Sequence, residues 1–135
     1  MKNKTLFLFF FYLIASQSFG QVPDKVISEL IILNVKSGEE KIILKESRHF
    51  EAPNWSRNGD FLLINSGGLL EKIDLNGNNL GKHKPKLVNS ANNDHGFSFD
   101  GKLLIFSKNE KGLGSRIYTM PFEGDLPTLI TQDYP

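Results

Sequence analysis

PNWSRNGDFLLI, residues 53–64, and DHGFSFDGKLLIF, residues 94–106, are two versions of one pattern. At a constant offset of 42 residues they share an aromatic residue, a serine, Asn or Asp, a glycine and two aliphatic residues: Trp55/Phe97, Ser56/Ser98, Asn58/Asp100, Gly59/Gly101, Leu62/Leu104 and Leu63/Ile105. A second pair, LEKIDLNG (70–77) and IYTMPFEG (117–124), matches at an offset of 47 residues. The larger offset places an insertion in the polar loop KNEKGLGS, where extra residues are tolerated. Two patterns that recur in the same order indicate a repeat protein.

Each repeat predicts four short strands. Ser-x-Asn/Asp-Gly is a tight-turn sequence, because its short polar side chains bond nearby backbone and glycine tolerates positive φ. The predicted strands after that turn are 61–65 and 103–107, then 69–75 and 116–120, and finally segments near 86–88 and 128–131. Four short strands in each 40-odd residues, without helical periodicity, are typical of β-propeller blades. A two-sheet sandwich is the alternative, but it would not require the 42-residue register.

The N-terminal part fits the same frame. Residues 30–46 read as two strands around the turn at 36–39, which are the third and fourth strands of a blade. We therefore expect an all-β protein, a partial β-propeller in residues 21–135 with a half blade (30–46) and two four-stranded blades (50–89 and 94–131). Closed propellers have about four to eight blades. Two and a half blades predict a piece of a longer protein, and a ring of several copies is the alternative.

Residues 1–20 have the features of a signal peptide. Lys2 and Lys4 precede the apolar run 6–15, and Ser18 and Gly20 supply the small residues that a signal peptidase reads. The run is shorter than the roughly 20 apolar residues of a membrane span. We expect cleavage before Gln21, export, and no stable membrane insertion afterwards; an uncleaved anchor is the alternative. The periplasm is the expected compartment, with an extracellular or outer-membrane-associated location as the other options.

The amino-acid composition of the chain limits the kinds of chemistry and of binding partner that we expect. The chain has no cysteine, so neither disulfides nor thiolate chemistry contribute. Its 16 basic and 15 acidic side chains give a formal net charge of +1, without a basic cluster. Such a nearly neutral surface argues against nucleic-acid binding.

The repeat resembles a known family. PNWSRNGDFLLI and GFSFDGKLLIF, followed by SRIYTMPFEGD, are similar to the WD40-like (PD40) propeller repeats of TolB-family periplasmic proteins. NDHG and the terminal TQDYP resemble a Bacteroidetes branch of Tol-type biopolymer transport components. Arg57 and Phe99 depart from the family pattern, which has proline in the turn. The resemblance implies an N-terminal fragment of a six-bladed parent, a binding or scaffold role in the cell envelope, and a protein, peptide or glycan partner.

The candidate contact residues are Asn93, Asp94 and His95. In the repeat frame they lie on the innermost strand, which lines the central channel where propellers often bind ligands. For His95 itself the favoured interpretation is structural, with the imidazole bonding to backbone near the channel mouth, and ligand contact is the alternative. Pro53 occupies the equivalent position in the preceding blade, and one histidine makes no metal site. We expect no metal and no cofactor.

No constellation of catalytic residues is evident. Ser56 and Ser98 match each other as turn residues, and the acidic side chains fall in separate blades, so general acid–base catalysis is not indicated. We therefore expect a protein that is not an enzyme. The alternative is the propeller portion of a serine peptidase or a metal-dependent oligosaccharide lyase, with its catalytic residues outside this chain.

For the remaining histidine and aromatic residues we expect positions in solvent or in the core. His49 and His83 lie among polar residues and are predicted to be solvated. Five aromatic residues at strand positions are predicted to fill the core between blades: Phe50, Trp55, Phe61, Phe97 and Phe106. An exposed carbohydrate-binding platform at Phe50 or Tyr134 is the alternative.

Overall fold

A computed structural model describes residues 26–132, and within that range the chain forms three antiparallel sheets and no helix. β1 (Ser28–Leu33) and β2 (Glu40–Glu46) form a hairpin. The second sheet contains β3 (Glu51–Trp55), β4 (Phe61–Ser66), β5 (Leu69–Asp74) and β6 (Asn79–Lys82) in sequence order. The third contains β7 (Ala91–Phe97), β8 (Leu103–Glu110), β9 (Gly114–Pro121) and β10 (Thr128–Leu129). The all-β prediction is confirmed, while the signal peptide lies outside the described residues.

The two serine turns fold alike. In the first, the Ser56 hydroxyl accepts a hydrogen bond from the Phe61 amide at 3.0 Å. In the second, Ser98 accepts from the Leu103 amide at 2.9 Å. The turn glycines 59 and 101 have φ of 83° and 73°, a conformation that side chains disfavour. The sequence match at 42 residues is therefore a match in backbone structure.

The predicted position of the fourth strand in the first full repeat is wrong. That strand is Asn79–Lys82, earlier in the chain than the predicted segment near 86–88. Asp74 is the reason: its Oδ1 accepts from the amides of Asn76 and Asn78, both at 2.8 Å, so the chain reverses at once. Val88 lies in a turn and is fully buried between sheets. The apolar side chain of Val88 indicates burial and not a strand, because a residue in a turn can also be buried.

The second sheet, β3–β6, lies between the β1–β2 hairpin and the β7–β10 sheet and packs against both, and we call it the middle sheet. One core cluster joins it to the β1–β2 hairpin and contains Leu30, Ile43, Phe50, Leu62, Ile64 and Ile73. The other joins it to the β7–β10 sheet and contains Leu63, Leu70, Val88, Ala91, Leu104, Phe106, Met120 and Phe122. Because successive strand residues point to opposite faces, the run FLLI supplies both clusters. The strand Phe61–Ser66 is therefore covered on both of its faces.

The aromatic residues divide between core and surface. Phe50 and Phe106 are buried, and Phe61 and Phe97 pack at the edge of a core cluster. The prediction is wrong for Trp55, which is 44% exposed; its Nε1 donates to the Gly59 carbonyl at 3.2 Å, across its own turn. Burial of Phe50 also excludes it as a carbohydrate platform, and Tyr134 lies outside the described residues.

Candidate functional site

The first strands of the two complete sheets lie beside each other. β3 and β7 are in contact, and each is interrupted by a bulge, between Glu51 and Asn54 in β3 and between Ala91 and His95 in β7. The bulges fall at corresponding places, since Asn54 pairs with Leu63 as Gly96 pairs with Ile105. Ala52, inside the first bulge, has a φ of 54°. Bulges redirect side chains out of a ladder and are frequent beside functional sites.

The three predicted contact residues lie within the bulge of β7. Asn93 and Asp94 are exposed, and His95 is half-buried. The Asn93 amide donates to the Asn92 side chain at 2.9 Å, which holds the irregular backbone in place. The structure thus brings the three residues to one short polar segment, next to the exposed Pro53 of β3.

His95 is tied to the neighbouring sheet. Its Nε2 lies 3.2 Å from the Leu63 carbonyl of β4, so one ring nitrogen is occupied by backbone. Burial lowers the pKa of His95, and this effect outweighs the opposing influences of the Leu63 carbonyl and the Asp94 charge. The imidazole is therefore neutral at pH 7, and with the Leu63 carbonyl as acceptor its Nε2 carries the proton.

A groove adjoins this segment on the side of the β7–β10 sheet that faces away from the middle sheet. It encloses about 540 Å³. Asp94 and His95 lie at one end, and the aliphatic side chains of Ile105 and Ile117 form much of its wall. The groove is thus mainly apolar with a polar end.

A second cleft of about 470 Å³ lies between the two serine turns. Phe61, Phe97 and Phe122 form its aromatic base, with ring centroids 5.2–6.1 Å apart. Arg57 bridges the turns, because its Nε donates to the Ser98 carbonyl at 3.1 Å and its guanidinium lies 5.8 Å from the Phe99 ring centroid. These contacts fix one repeat against the next.

The side chains considered for catalysis are engaged in turns. Ser98 donates to Asp100 at 2.6 Å, and this hydrogen bond is the main reason that the pKa of Asp100 is lowered. The pKa of Asp74 is lowered chiefly by the hydrogen bond from the Asn78 side chain. Within residues 26–132, no group of three or more His, Asp or Glu side chains is arranged to hold a metal ion. No helix in that part of the chain is long and apolar enough to cross a membrane.

The two other histidines differ from each other. His49 is exposed, as predicted, and its Nε2 lies 3.5 Å from a Glu51 carboxylate oxygen. His83 is only 4% exposed, so its prediction as a solvated residue is wrong. The ring stacks on Phe122 at 4.2 Å between centroids, and burial is the main cause that lowers its pKa to about 4. Neighbouring lysines in GKHKPK suggested a solvated loop, and the residue that covers His83 is far away in the sequence.

Solved structures share this arrangement of strands. A provisionally assigned TolB from Agrobacterium tumefaciens matches with a TM-score of 0.69 and 36% identity, over 79% of this chain and 39% of that one. The fold is TolB-like. TolB from Acinetobacter baumannii matches with a TM-score of 0.57 and 21% identity, over 78% of this chain and 27% of its own length. The second likeness supports the fold alone.

Sequence comparison gives a consistent result. An uncharacterized protein of Agrobacterium fabrum, Atu1656, is 37% identical over 113 residues. The match covers 80% of this chain, which spans 37% of that relative's length. No protein-family profile matches the chain.

Proposed function

We propose that this chain is part of an exported, non-enzymatic propeller protein of the cell envelope that binds a protein, peptide or glycan. The observation that carries the proposal is the bulged, polar segment of β7, where Asn93 and Asp94 are exposed beside β3. The TolB-like fold and the 36% identity to the Agrobacterium tumefaciens structure support the Tol-type envelope role.

The chemistry of the segment suits recognition better than catalysis. Amide and carboxylate groups can donate to and accept from a peptide backbone or sugar hydroxyls. His95 keeps its Nε2 on the Leu63 carbonyl, so it positions the strand while its two neighbours remain open to a ligand. The loops at the two serine turns, which we place at the rim of the propeller, would add further contacts to the ligand.

The domain organisation of the proposal follows the sequence. Residues 1–20 are a signal peptide, and residues 21–135 are an incomplete propeller with a half blade at 30–46 and blades at 50–89 and 94–131. Ser107 supports the incomplete ring: it is 4% exposed, yet its hydroxyl has no hydrogen-bond partner among the described residues. Asn65, its equivalent in the preceding sheet, donates to the Ala91 carbonyl of the next sheet at 3.1 Å.

Site-specific photocrosslinking tests the binding segment. A photoreactive amino acid replaces Asn93 in the full chain, produced in cells of the native host, and Leu126 provides the control position because it is 80% exposed in a loop. We expect one discrete crosslinked species from position 93 and none from position 126. Asp94→Lys should abolish that species without changing the amount of folded protein. Equal crosslinking at both positions, or none at position 93, would contradict the proposal.

Mass spectrometry of the same material tests export. Signal cleavage before Gln21 should leave a mature chain that begins at that residue, in the soluble envelope fraction. A chain that retains Met1 and sediments with membranes would contradict the proposed location.

A further inference from the structure

The cleft between the two serine turns is a second candidate binding site. Both of its walls belong to described sheets, because residues 56–58 line one side and residues 100–102 line the other. Its volume of about 470 Å³ lies in the range of small-ligand sites, which is about 300–1,000 Å³. The cleft is therefore large enough for a small organic molecule or for one ring of a longer ligand.

Three aromatic rings form the base of this cleft. The ring centroid of Phe122 lies 5.9 Å from that of Phe61 and 5.2 Å from that of Phe97. Phe61 and Phe97 are only partly buried, and part of each side chain lines the cleft. The face of an aromatic ring is apolar and carries partial negative charge, so it packs well against C–H groups. The base therefore suits a ligand with an apolar face rich in C–H groups.

The rim adds one positive and one negative side chain that are not engaged elsewhere. Lys102 and Glu123 are both exposed, and neither side chain makes a hydrogen bond or an ion pair among the described residues. Their backbones are close together, because the Phe122 amide donates to the Lys102 carbonyl at 2.7 Å. An ammonium group only donates and a carboxylate only accepts, whereas a hydroxyl does both. Two adjacent hydroxyl groups of a ligand would therefore complement this pair.

The charges around the cleft favour a ligand without net charge. Arg57 and Lys102 are positive. Asp100 and Glu123 are negative, and the hydrogen bond from Ser98 lowers the pKa of Asp100, so its carboxylate stays ionised at pH 7. A ligand of either charge would meet a like charge as well as an opposite one, which reduces the electrostatic gain. A neutral polar ligand meets no such repulsion.

Arg57 holds the two walls of the cleft in place. Its Nε donates to the Ser98 carbonyl at 3.1 Å, and its Nη2 donates to the Phe97 carbonyl at 3.3 Å. The stem of Arg57 lies against Gly101, where an added Cβ would be 3.1 Å from the Arg57 Cβ. Because the turns are already fixed to each other, a ligand has little to order on binding, and the entropic cost of binding is small.

We propose that the cleft between the serine turns binds a neutral sugar ring of a glycan. The C–H face of a pyranose ring packs on the aromatic base, and two neighbouring hydroxyls bond to Lys102 and Glu123. The proposal rests on the binding role given under the proposed function, and it adds a second site and a ligand class to that role. Asn93 and Asp94 lie outside this cleft, so a saccharide of one or two rings would bind without them.

A glycan array and a titration test the proposal. The full-length protein, exported by its native host and labelled with a fluorophore, is applied to an array of neutral, acidic and basic oligosaccharides. We expect binding to neutral saccharides. The shortest neutral saccharide that binds is then titrated by NMR. Glu123→Gln and Lys102→Met should each raise its Kd about tenfold, because each removes a hydrogen bond to a charged group. Phe61→Leu should raise the Kd several-fold through loss of ring contact.

Exposed residues outside the cleft provide matched controls. Glu40→Gln and Lys86→Met make the same chemical changes at other exposed positions. Both variants should bind the saccharide as the unmodified protein does. Thermal unfolding of all the variants must show cooperative transitions, so that a folding defect is recognised separately.

Four results would overturn the proposal. They are the absence of binding to any neutral saccharide, binding to charged saccharides alone, and equal losses of affinity in the cleft variants and the controls. The fourth is binding of the neutral peptide acetyl-Gly-Phe-Gly-amide, in place of saccharides, with an affinity that depends on Phe61 but not on Glu123. That result would assign the cleft to an apolar peptide side chain.

The two binding proposals can fail separately. Asp94→Lys should leave the affinity for the short saccharide unchanged, although it should abolish the crosslink from position 93. Glu123→Gln should weaken saccharide binding and leave that crosslink in place. A missing crosslink together with intact saccharide binding would contradict only the role of the β7 segment, and the reverse pattern would contradict only the cleft.

Discussion

At the scale of single residues, the repeat depends on a few polar side chains that bond to their own turns. Ser98 illustrates this: its hydroxyl accepts from the Leu103 amide and donates to Asp100, at 2.9 Å and 2.6 Å. Asp100 in turn accepts from the Lys102 amide at 3.0 Å. These three bonds fix the direction in which β8 leaves the turn, so a catalytic role for either side chain would compete with the fold.

Removing this hydroxyl should therefore reduce stability. We expect Ser98→Ala to lower the free energy of unfolding by about 1–2 kcal/mol, because two hydrogen bonds are lost. Chemical denaturation measures the change. Ser115→Ala, at an exposed position, is the control and should leave stability within about 0.5 kcal/mol of the original. Equal effects of the two substitutions would show that the turn bonds contribute little.

His83 predicts a dependence of stability on pH. Its pKa is about 4 in the folded chain and 6.5 in the reference state, so the unfolded chain binds more protons between these values. Stability should rise with pH across this window and fall as acid is added, by a total of about 3 kcal/mol. His83→Phe, which keeps a ring on Phe122, should flatten the profile except for the contribution of His95, whose pKa is also lowered.

The control for this profile is the exposed histidine. His49→Phe introduces the same side chain at an exposed position, so it controls for the substitution itself. A slope that persists in full after His83→Phe would show that carboxylates, and not this imidazole, control acid stability.

At the scale of elements, turns and pairs of strands could be predicted from sequence because their determinants are local. Ser-x-Asn/Asp-Gly contains the donor, the acceptor and the glycine that close each turn. Burial of His83 could not be predicted in this way, because it depends on packing against Phe122, which is distant in sequence. The prediction for Trp55 is wrong although its hydrogen bond to Gly59 lies within its own turn. The bulges of β3 and β7 also leave no clear signal in the sequence, so the prediction of Asn93 and Asp94 as contact residues depends on the repeat frame alone.

Gly77, in the turn after β5, lies directly against the backbone of Ile43 in β2. A Cβ at this position would lie 1.9 Å from the Ile43 carbonyl oxygen, and φ is +86°. Gly77→Ala should lower the free energy of unfolding by about 3 kcal/mol or more, since the hairpin would have to move. Gly38→Ala is the matched control: φ is +74°, but nothing lies within 4 Å of its Cβ. It should cost only about 1 kcal/mol in thermal or chemical denaturation. Similar losses would contradict the steric explanation.

Arg48 is the main ionic contact between elements. Its guanidinium donates to Glu71 at 2.9 Å and to the Ser66 hydroxyl at 2.6 Å, and the Glu71 side chain is only 8% exposed. Arg48→Met should destabilise by about 2 kcal/mol, because the buried Glu71 side chain loses its cationic partner. Lys45→Met removes the more exposed pair with Glu29 and should change stability by less than about 1 kcal/mol. Equal effects in denaturation would argue against burial as the cause.

At the scale of the whole molecule, the chain is a row of three packed units in which the middle sheet is the only one covered on both sides among the described residues. Within residues 26–132 each end unit packs on the middle sheet, so stability should depend on nearest-neighbour interfaces, as in other repeat proteins. The hairpin has two strands and cannot be stable alone. Opening of one end should therefore leave the other end folded.

Substitutions of the adjacent residues Leu63 and Ile64 test whether one end of the row can open while the other stays folded. Both are 0% exposed, but Leu63 packs towards the β7–β10 sheet and Ile64 towards the hairpin. Either residue changed to Ala should lose about 2–5 kcal/mol. In native-state hydrogen exchange, Ile64→Ala should speed exchange mainly in β1 and β2, and Leu63→Ala mainly in β7 to β9. Because the two residues are neighbours on one strand, a common change in β4 would affect both variants equally. Acceleration spread evenly over all three sheets in both variants would show that the units unfold together and that the row has no separable ends.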